Sequence, residues 1–343
     1  MAPPIPSLRS PFGRPALALA GLAVGAVLRS GCSAPAGSDE GTSIVATTNV
    51  YGAIAEAVAG ELASVTSIID SAAQDPHSYE PTVPDQLLLS KADIVIENGG
   101  GYDPFVDTML GAVDSEGITV ISASEVSGLL EGEHGEHGSA EDHDAEHEEQ
   151  ADSESTEEHS HEGDDHGHIE GFNEHVWYSF AAMDNLAHEL AHELGALDAA
   201  NAEQYERNYE EFAAGLDELT AQAETLRATH DGQAVAATEA VPHYLFETIG
   251  LVDLTPADFT AAVENGTDVA PAVLLETLDV IDGGEVALLA YNEQTAGAET
   301  QQLLKAAEQA GVPVVSFTET LPADAGYLAW MRANLESLSA ALP

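Results

Sequence analysis

The sequence predicts an α/β fold of two lobes, each carrying a mostly parallel sheet, joined by one long rigid helix. Three patterns predict it: β-branched apolar runs alternate with amphipathic stretches from residue 43, the alternation resumes after residue 231, and one long helical pattern lies between. Strands that alternate with helices pair in parallel and are covered on both faces. At 343 residues the chain is long enough for two cores.

Residues 1–31 read as a targeting segment and are set apart from the fold. Arg9 and Arg14 precede the apolar run PALALAGLAVGAVL (15–28), which is short for a membrane span. Cys32, the only cysteine, follows Gly31 and opens a polar linker, 32–42. A lone cysteine makes no internal disulfide; its position predicts cleavage before it and lipid on its sulfur. Arg29 departs from the aliphatic residue usual three places before such a cysteine.

The first lobe is assigned to 43–198. SIVATTNVYGAIAEAVAG starts as a strand and runs into a helix. LASVTSIID is a strand, PDQLLLSKA a helix, DIVIENGGG a strand ending in a tight glycine turn, and GITVISAS another strand. Residues 131–168 interrupt this order with low-complexity sequence that holds eight of the 14 histidines: His134, His137, His143, His147, His159, His161, His166 and His168. Such sequence buries too little apolar surface to fold, and imidazoles among carboxylates suit weak capture of zinc-like ions. YSFAAMDNLAHELAHELGALD then reads as a helix. The bridging helix follows within 199–230, with Asn201 as its N-cap; about 28 residues at ~1.5 Å each would reach ~42 Å, enough to link two lobes. The second lobe, 231–343, repeats strand and helix through QAVAATEA, VPHYLFETIG, PAVLLETLDVIDGG, EVALLAYN, TQQLLKAAEQAG, VPVVSFTE and YLAWMRANLESLSAAL.

Charge excludes one class of partner. Eight Lys+Arg against 61 Asp+Glu give a net charge of −53, incompatible with a nucleic-acid surface. Seventeen of the acidic residues lie in 131–170, where there is no Lys or Arg, so the rest of the chain still carries −36. The acidity is global and fits an exported, monomeric protein kept soluble in salt, where screening removes self-repulsion.

HELAHELG (188–195) matches the H-E-x-x-H pattern of zinc proteases. On a helix His188 and His192 share a face. The apolar stripe, however, runs through Met183, Leu186, Ala187, Leu190, Ala191 and Leu194, which turns the pattern toward solvent. A catalytic zinc needs a third ligand in an enclosed cleft; Asp198 is within reach in sequence, but no Met-turn follows it. An exposed helix face is the reading adopted, and no catalysis is expected.

Four other segments sit at the ends of predicted strands or at lobe edges. DPHSYEP (75–81) holds His77 between two prolines that stiffen the loop, NEHVWYS (173–179) carries His175, ATEAVPHYLF carries Glu239, and SFTET carries Glu319. Ligands of open α/β sheets gather at the carboxyl ends of strands, and two imidazoles with two carboxylates suit Zn²⁺ or Mn²⁺.

Taken in order, DPHSYEP, the acidic His-rich segment, NEHVWYS, the long helix, TEAVPHYLFETIGL and FTET resemble the zinc/manganese-specific solute-binding proteins of bacterial ABC importers. The resemblance spans about 43–341 and includes NGGGYDPF (98–105), YNEQT (291–295) and AGYLAWMRANLESL. It implies a metal held between the lobes by His77, His175, Glu239 and Glu319, an ABC permease as partner, and a lipid-anchored place outside the cell membrane. Zn²⁺ is the expected cargo; Glu239, which stands where many zinc members carry histidine and matches the glutamate of manganese members, makes Mn²⁺ the alternative. A metal-dependent adhesin or buffer on the same scaffold is the remaining alternative. Holding the ion requires neutral imidazoles, so affinity should fall below a pH of roughly 6.

Overall fold

A computed structural model describes residues 41–343, apart from 72–73, 75, 78, 131–168, 170 and 324. The targeting segment, Cys32 and the eight histidines of 131–168 lie outside the described residues. In the first lobe the chain forms β1 (Thr42–Thr48), α1 (Asn49–Ala59), β2 (Ala63–Ile69), α2 (Val83–Leu89), β3 (Ile94–Glu97), α3 (Phe105–Gly111), β4 (Thr119–Ser122) and α4 (Ala123–Val126). Then come α5 (Phe180–Leu197) and α6 (Ala202–His230). The second lobe has β5 (Ala234–Ala237), α7 (His243–Ile249), β6 (Val252–Asp253), α8 (Ala257–Glu264), α9 (Pro271–Asp282), β7 (Leu289–Asn292), α10 (Ala298–Ala310), β8 (Val314–Phe317) and α11 (Tyr327–Ala341).

Both sheets are parallel and share one topology. The strand orders are β2-β1-β3-β4 and β6-β5-β7-β8. Side chains of a strand alternate between faces, and the strand sequences use this fully. Ile44, Ala46, Ile94 and Ile96 enter the large core under α1, α5 and α6, while Val45 and Val95 enter a smaller outer core with Leu89, Phe105 and Met109. In the second sheet Val235 and Ala237 face the large core, and Ala236 faces an outer core with Phe259, Ile281 and Leu303. Strands buried on both faces explain the nearly continuous apolar runs.

The 29-residue helix α6 buries Tyr205, Phe212, Leu216, Leu219 and Ala223, spaced as one helical stripe. Gly215 permits the close approach of α11, since a Cβ there would stand 2.3 Å from Leu328 Cδ1. Asn201 precedes α6 as expected but does not cap it with its side chain; its Nδ2 donates instead to Asp198 Oδ2 at 2.6 Å. Capping would need Asn201 Oδ1 to accept from the first turn of α6, and the side chain is instead turned back to donate to Asp198. Helix α8 has no counterpart in the sequence reading.

The glycine turn after β3 is confirmed in detail: Gly99, Gly100 and Gly101 have φ of 69°, 66° and 98°, conformations costly for any residue with a Cβ. The turn closes one wall of an acidic pocket lined by Glu97, Asp103, Asp107 and Glu125. Burial, followed by the charges of Asp103, Asp107 and Glu125, pushes the Glu97 carboxyl up to about 8. The unfolded carboxyl loses its proton near pH 4.5, so between these values the native chain holds a proton that the unfolded chain has released. Stability therefore falls as pH rises through this window. Glu97→Gln should melt with the wild type near pH 4 and about 2–4 °C above it at pH 8, for ~1 kcal/mol after solvent screening. Thermal melts across pH 4–8 check this; parallel curves would refute it.

Candidate metal centre

The carboxyl ends of the second sheet carry two acids in register. Glu239 lies two residues beyond β5 and Glu319 two beyond β8, with Asn292, the last residue of β7, between them. Asn292 N–H donates to Thr238 Oγ1 at 3.0 Å, and its Nδ2 donates to Glu319 Oε1 at 2.8 Å. Glu319 N–H donates to Gln294 Oε1 at 2.7 Å. Thr295 Oγ1 donates to Glu239 Oε2. Both carboxylates are nearly fully buried, 3% exposed for Glu239 and 1% for Glu319, which ionised groups tolerate only with such partners.

The first lobe presents His77 and Tyr102 to the same place. His77 follows the buried Pro76 on the segment between β2 and α2 and packs edge-on against Tyr102, centroids 4.8 Å apart. Its Nε2 lies 3.5 Å from Glu319 Oε2. Burial, then the Glu319 charge, holds the Tyr102 hydroxyl well above its ordinary titration, so it donates to Glu319 Oε2 at 3.1 Å. Glu319 thus receives one bond from each lobe.

His175 completes the cluster, its ring 6.2 Å from that of His77. Asn173 fixes its tautomer. The Asn173 Nδ2 donates to Ala240 O at 3.1 Å, so Oδ1 is the acceptor for both His175 N–H at 3.2 Å and His175 Nδ1 at 2.7 Å. Nδ1 then carries the proton and Nε2 the lone pair, the arrangement a metal-binding imidazole needs. Tyr244 donates to Asn173 O at 2.7 Å, tying this segment to α7 in the second lobe.

All four residues singled out in the sequence meet in this seam, and two acids missed there join them. Glu264, the last residue of α8, has Oε1 3.8 Å from His175 Nδ1. Glu174 is 4% exposed. Burial first, then the charges of Glu174, Glu239 and Glu319, raise the Glu264 carboxyl to about 9. The sequence signal for Glu264 is faint: Phe259 and Val263 are four apart before Asn265-Gly266, a short amphipathic turn.

HELAHELG has the exposed geometry its apolar stripe predicts. His188 lies edge-on to Tyr209 of α6, centroids 5.2 Å apart. His192 is 69% exposed and sits 3.3 Å from Glu193. Glu189, His192 and Glu193 lie within 4.8 Å of one another, but His188 is not in that group.

The family profile described as zinc-uptake complex component A, periplasmic, matches residues 44–341. The zinc-binding lipoprotein AdcA of Streptococcus pneumoniae is 26% identical over 315 residues, 90% of this chain and 57% of AdcA, so the chain spans little more than half that relative's length. The iron ABC transporter substrate-binding lipoprotein MtsA of Streptococcus pyogenes is 23% identical, covering 87% of this chain and 88% of MtsA. The structure of FpvC from Pseudomonas aeruginosa in complex with Mn²⁺ superposes with a TM-score of 0.65 at 23% identity, over 88% of this chain and 98% of that one. The chain belongs to the family of the periplasmic zinc-uptake component A.

Proposed function

We propose that this protein is an extracytoplasmic receptor that captures Zn²⁺ between its lobes and delivers it to the membrane permease of an ABC importer. The observation that carries this reading is the meeting of His77, His175, Glu239 and Glu319, from four separate segments, in one buried seam. A buried donor set suits holding an ion rather than activating water. Mn²⁺ is the second reading, favoured by the carboxylate at Glu239, since oxygen ligands suit manganese. AdcA is named for zinc and MtsA as part of an ABC transporter, which supports both the cargo class and the permease. Lipid on Cys32 would hold the receptor at the membrane, and both relatives are named lipoproteins. The histidines of 131–168 would raise the local metal concentration before transfer to the inner site.

Calorimetry on the purified protein tests the site. His77→Ala/His175→Ala should lose the tight phase, while His188→Ala/His192→Ala should bind as the wild type does; the opposite pattern would move the site to HELAHELG. Deleting 131–168 should leave the tight phase and remove additional weak equivalents, and loss of the tight phase would end the auxiliary role. Asn292→Leu, which takes a donor from Glu319 without touching the ion, should weaken binding about 10–100-fold; unchanged affinity would show that Glu319 is not a ligand.

A further inference from the structure

A site of two histidines and two glutamates leaves two neighbouring acids unused, Glu174 and Glu264, and of these Glu264 comes close to both histidines. The donor atoms of His77, His175 and Glu264 lie within 4.8 Å of one another, a spread that one ion can span. Glu264 Oε1 is buried, and the carboxyl beside it is that of Glu174, with which it can bond only while one of the two keeps a proton. Two buried carboxyls side by side are strongly disfavoured as a pair of anions unless a cation meets them. Lysine and arginine do not supply that cation. Arg207, Arg227 and Arg332 pair with Glu203, Asp231 and Glu218. Lys91 and Lys305 are exposed, and Arg9, Arg14 and Arg29 lie outside the described residues.

We propose that Glu264 is a further ligand of the metal, supplied by α8, and that it shifts the site's preference from Zn²⁺ toward Mn²⁺. The proposal rests on the reading above that His77 and His175 hold the ion. Two imidazoles and three carboxylates exceed the four donors of tetrahedral zinc. The added oxygen raises both the coordination number and the hardness of the site, which manganese uses better than zinc. Intrinsic affinity in the divalent series still favours zinc over manganese, so Glu264 narrows that gap. The geometry also explains why an eight-residue helix should end with its acid pointed into the seam: it brings a donor that neither sheet edge provides.

The test is titration of the full-length wild type, Glu264→Gln and Glu264→Leu with Mn²⁺ and, separately, with Zn²⁺. Both variants should lose about 10–100-fold in Mn²⁺ affinity and less than about tenfold in Zn²⁺ affinity. Co²⁺ loaded into Glu264→Leu should absorb more strongly in the visible than in the wild type, as expected when the coordination number drops. Equal losses for both metals, no loss for either, or an unchanged Co²⁺ spectrum would overturn the proposal. The metal-free variants should melt at or above the wild type, because a buried acid has been removed; a large drop would mean that the carboxylate serves the fold, and would also overturn it. Failure of the underlying site is seen separately, as tight binding retained by His77→Ala/His175→Ala.

Discussion

Repulsion among carboxylates buried in a single seam is the constraint that the rest of the molecule is arranged around. Glu174, Glu239 and Glu319 all act on Glu264 there, in a chain with only eight Lys+Arg. Acids this close cannot all ionise without compensation. The compensation visible in the protein is neutral: Tyr102, Asn292 and Thr295 donate to Glu319 and Glu239. These donors lower the cost without cancelling the charge, so the seam is held together yet remains attractive to a divalent cation. A lysine in the same place would stabilise the empty protein and compete with the cargo.

The two lobes meet this demand with one plan. Each sheet runs 2-1-3-4 in its own numbering, and each aims its carboxyl ends at the seam. Side-chain hydroxyls and amides then cross between lobes to backbone carbonyls. Tyr178 donates to Thr318 O at 2.9 Å and Tyr327 to Trp177 O at 2.7 Å. Asn49 makes a reciprocal pair with the backbone of Leu321, donating at 3.0 Å and accepting at 2.9 Å. Neutral bonds of this kind contribute on the order of 1 kcal/mol each, enough to set the lobes' orientation and small beside the free energy of holding a metal.

Much of this was legible in the sequence because strands buried on both faces and helices with one apolar face leave strong periodic signals. The loops holding His77, Glu239 and Glu319 could be found by asking which polar residues follow strands, and His175 by its place just before a helix. Glu264 could not be found in that way. It ends a helix of about two turns, and its nearness to His175, 89 positions earlier, exists only after both lobes have folded. Asn201 illustrates a different limit: position alone gave its place before α6, but not that its side chain would turn back to donate to Asp198 and leave the helix uncapped. HELAHELG shows the converse, a chemical pattern whose geometry is decided by the apolar residues threaded through it.

Leu130 and Ile169, which flank the His-rich interruption, line the same pocket beside the glycine turn. Gly100 is wedged there against Phe172, where a Cβ would come within 2.7 Å of the ring, so the chain leaves and re-enters the lobe at one fixed doorstep. A segment joined at those two residues therefore starts and finishes at neighbouring points of the lobe surface. Two ends so close together suit the replacement of the insert by a reporter domain whose own termini are adjacent.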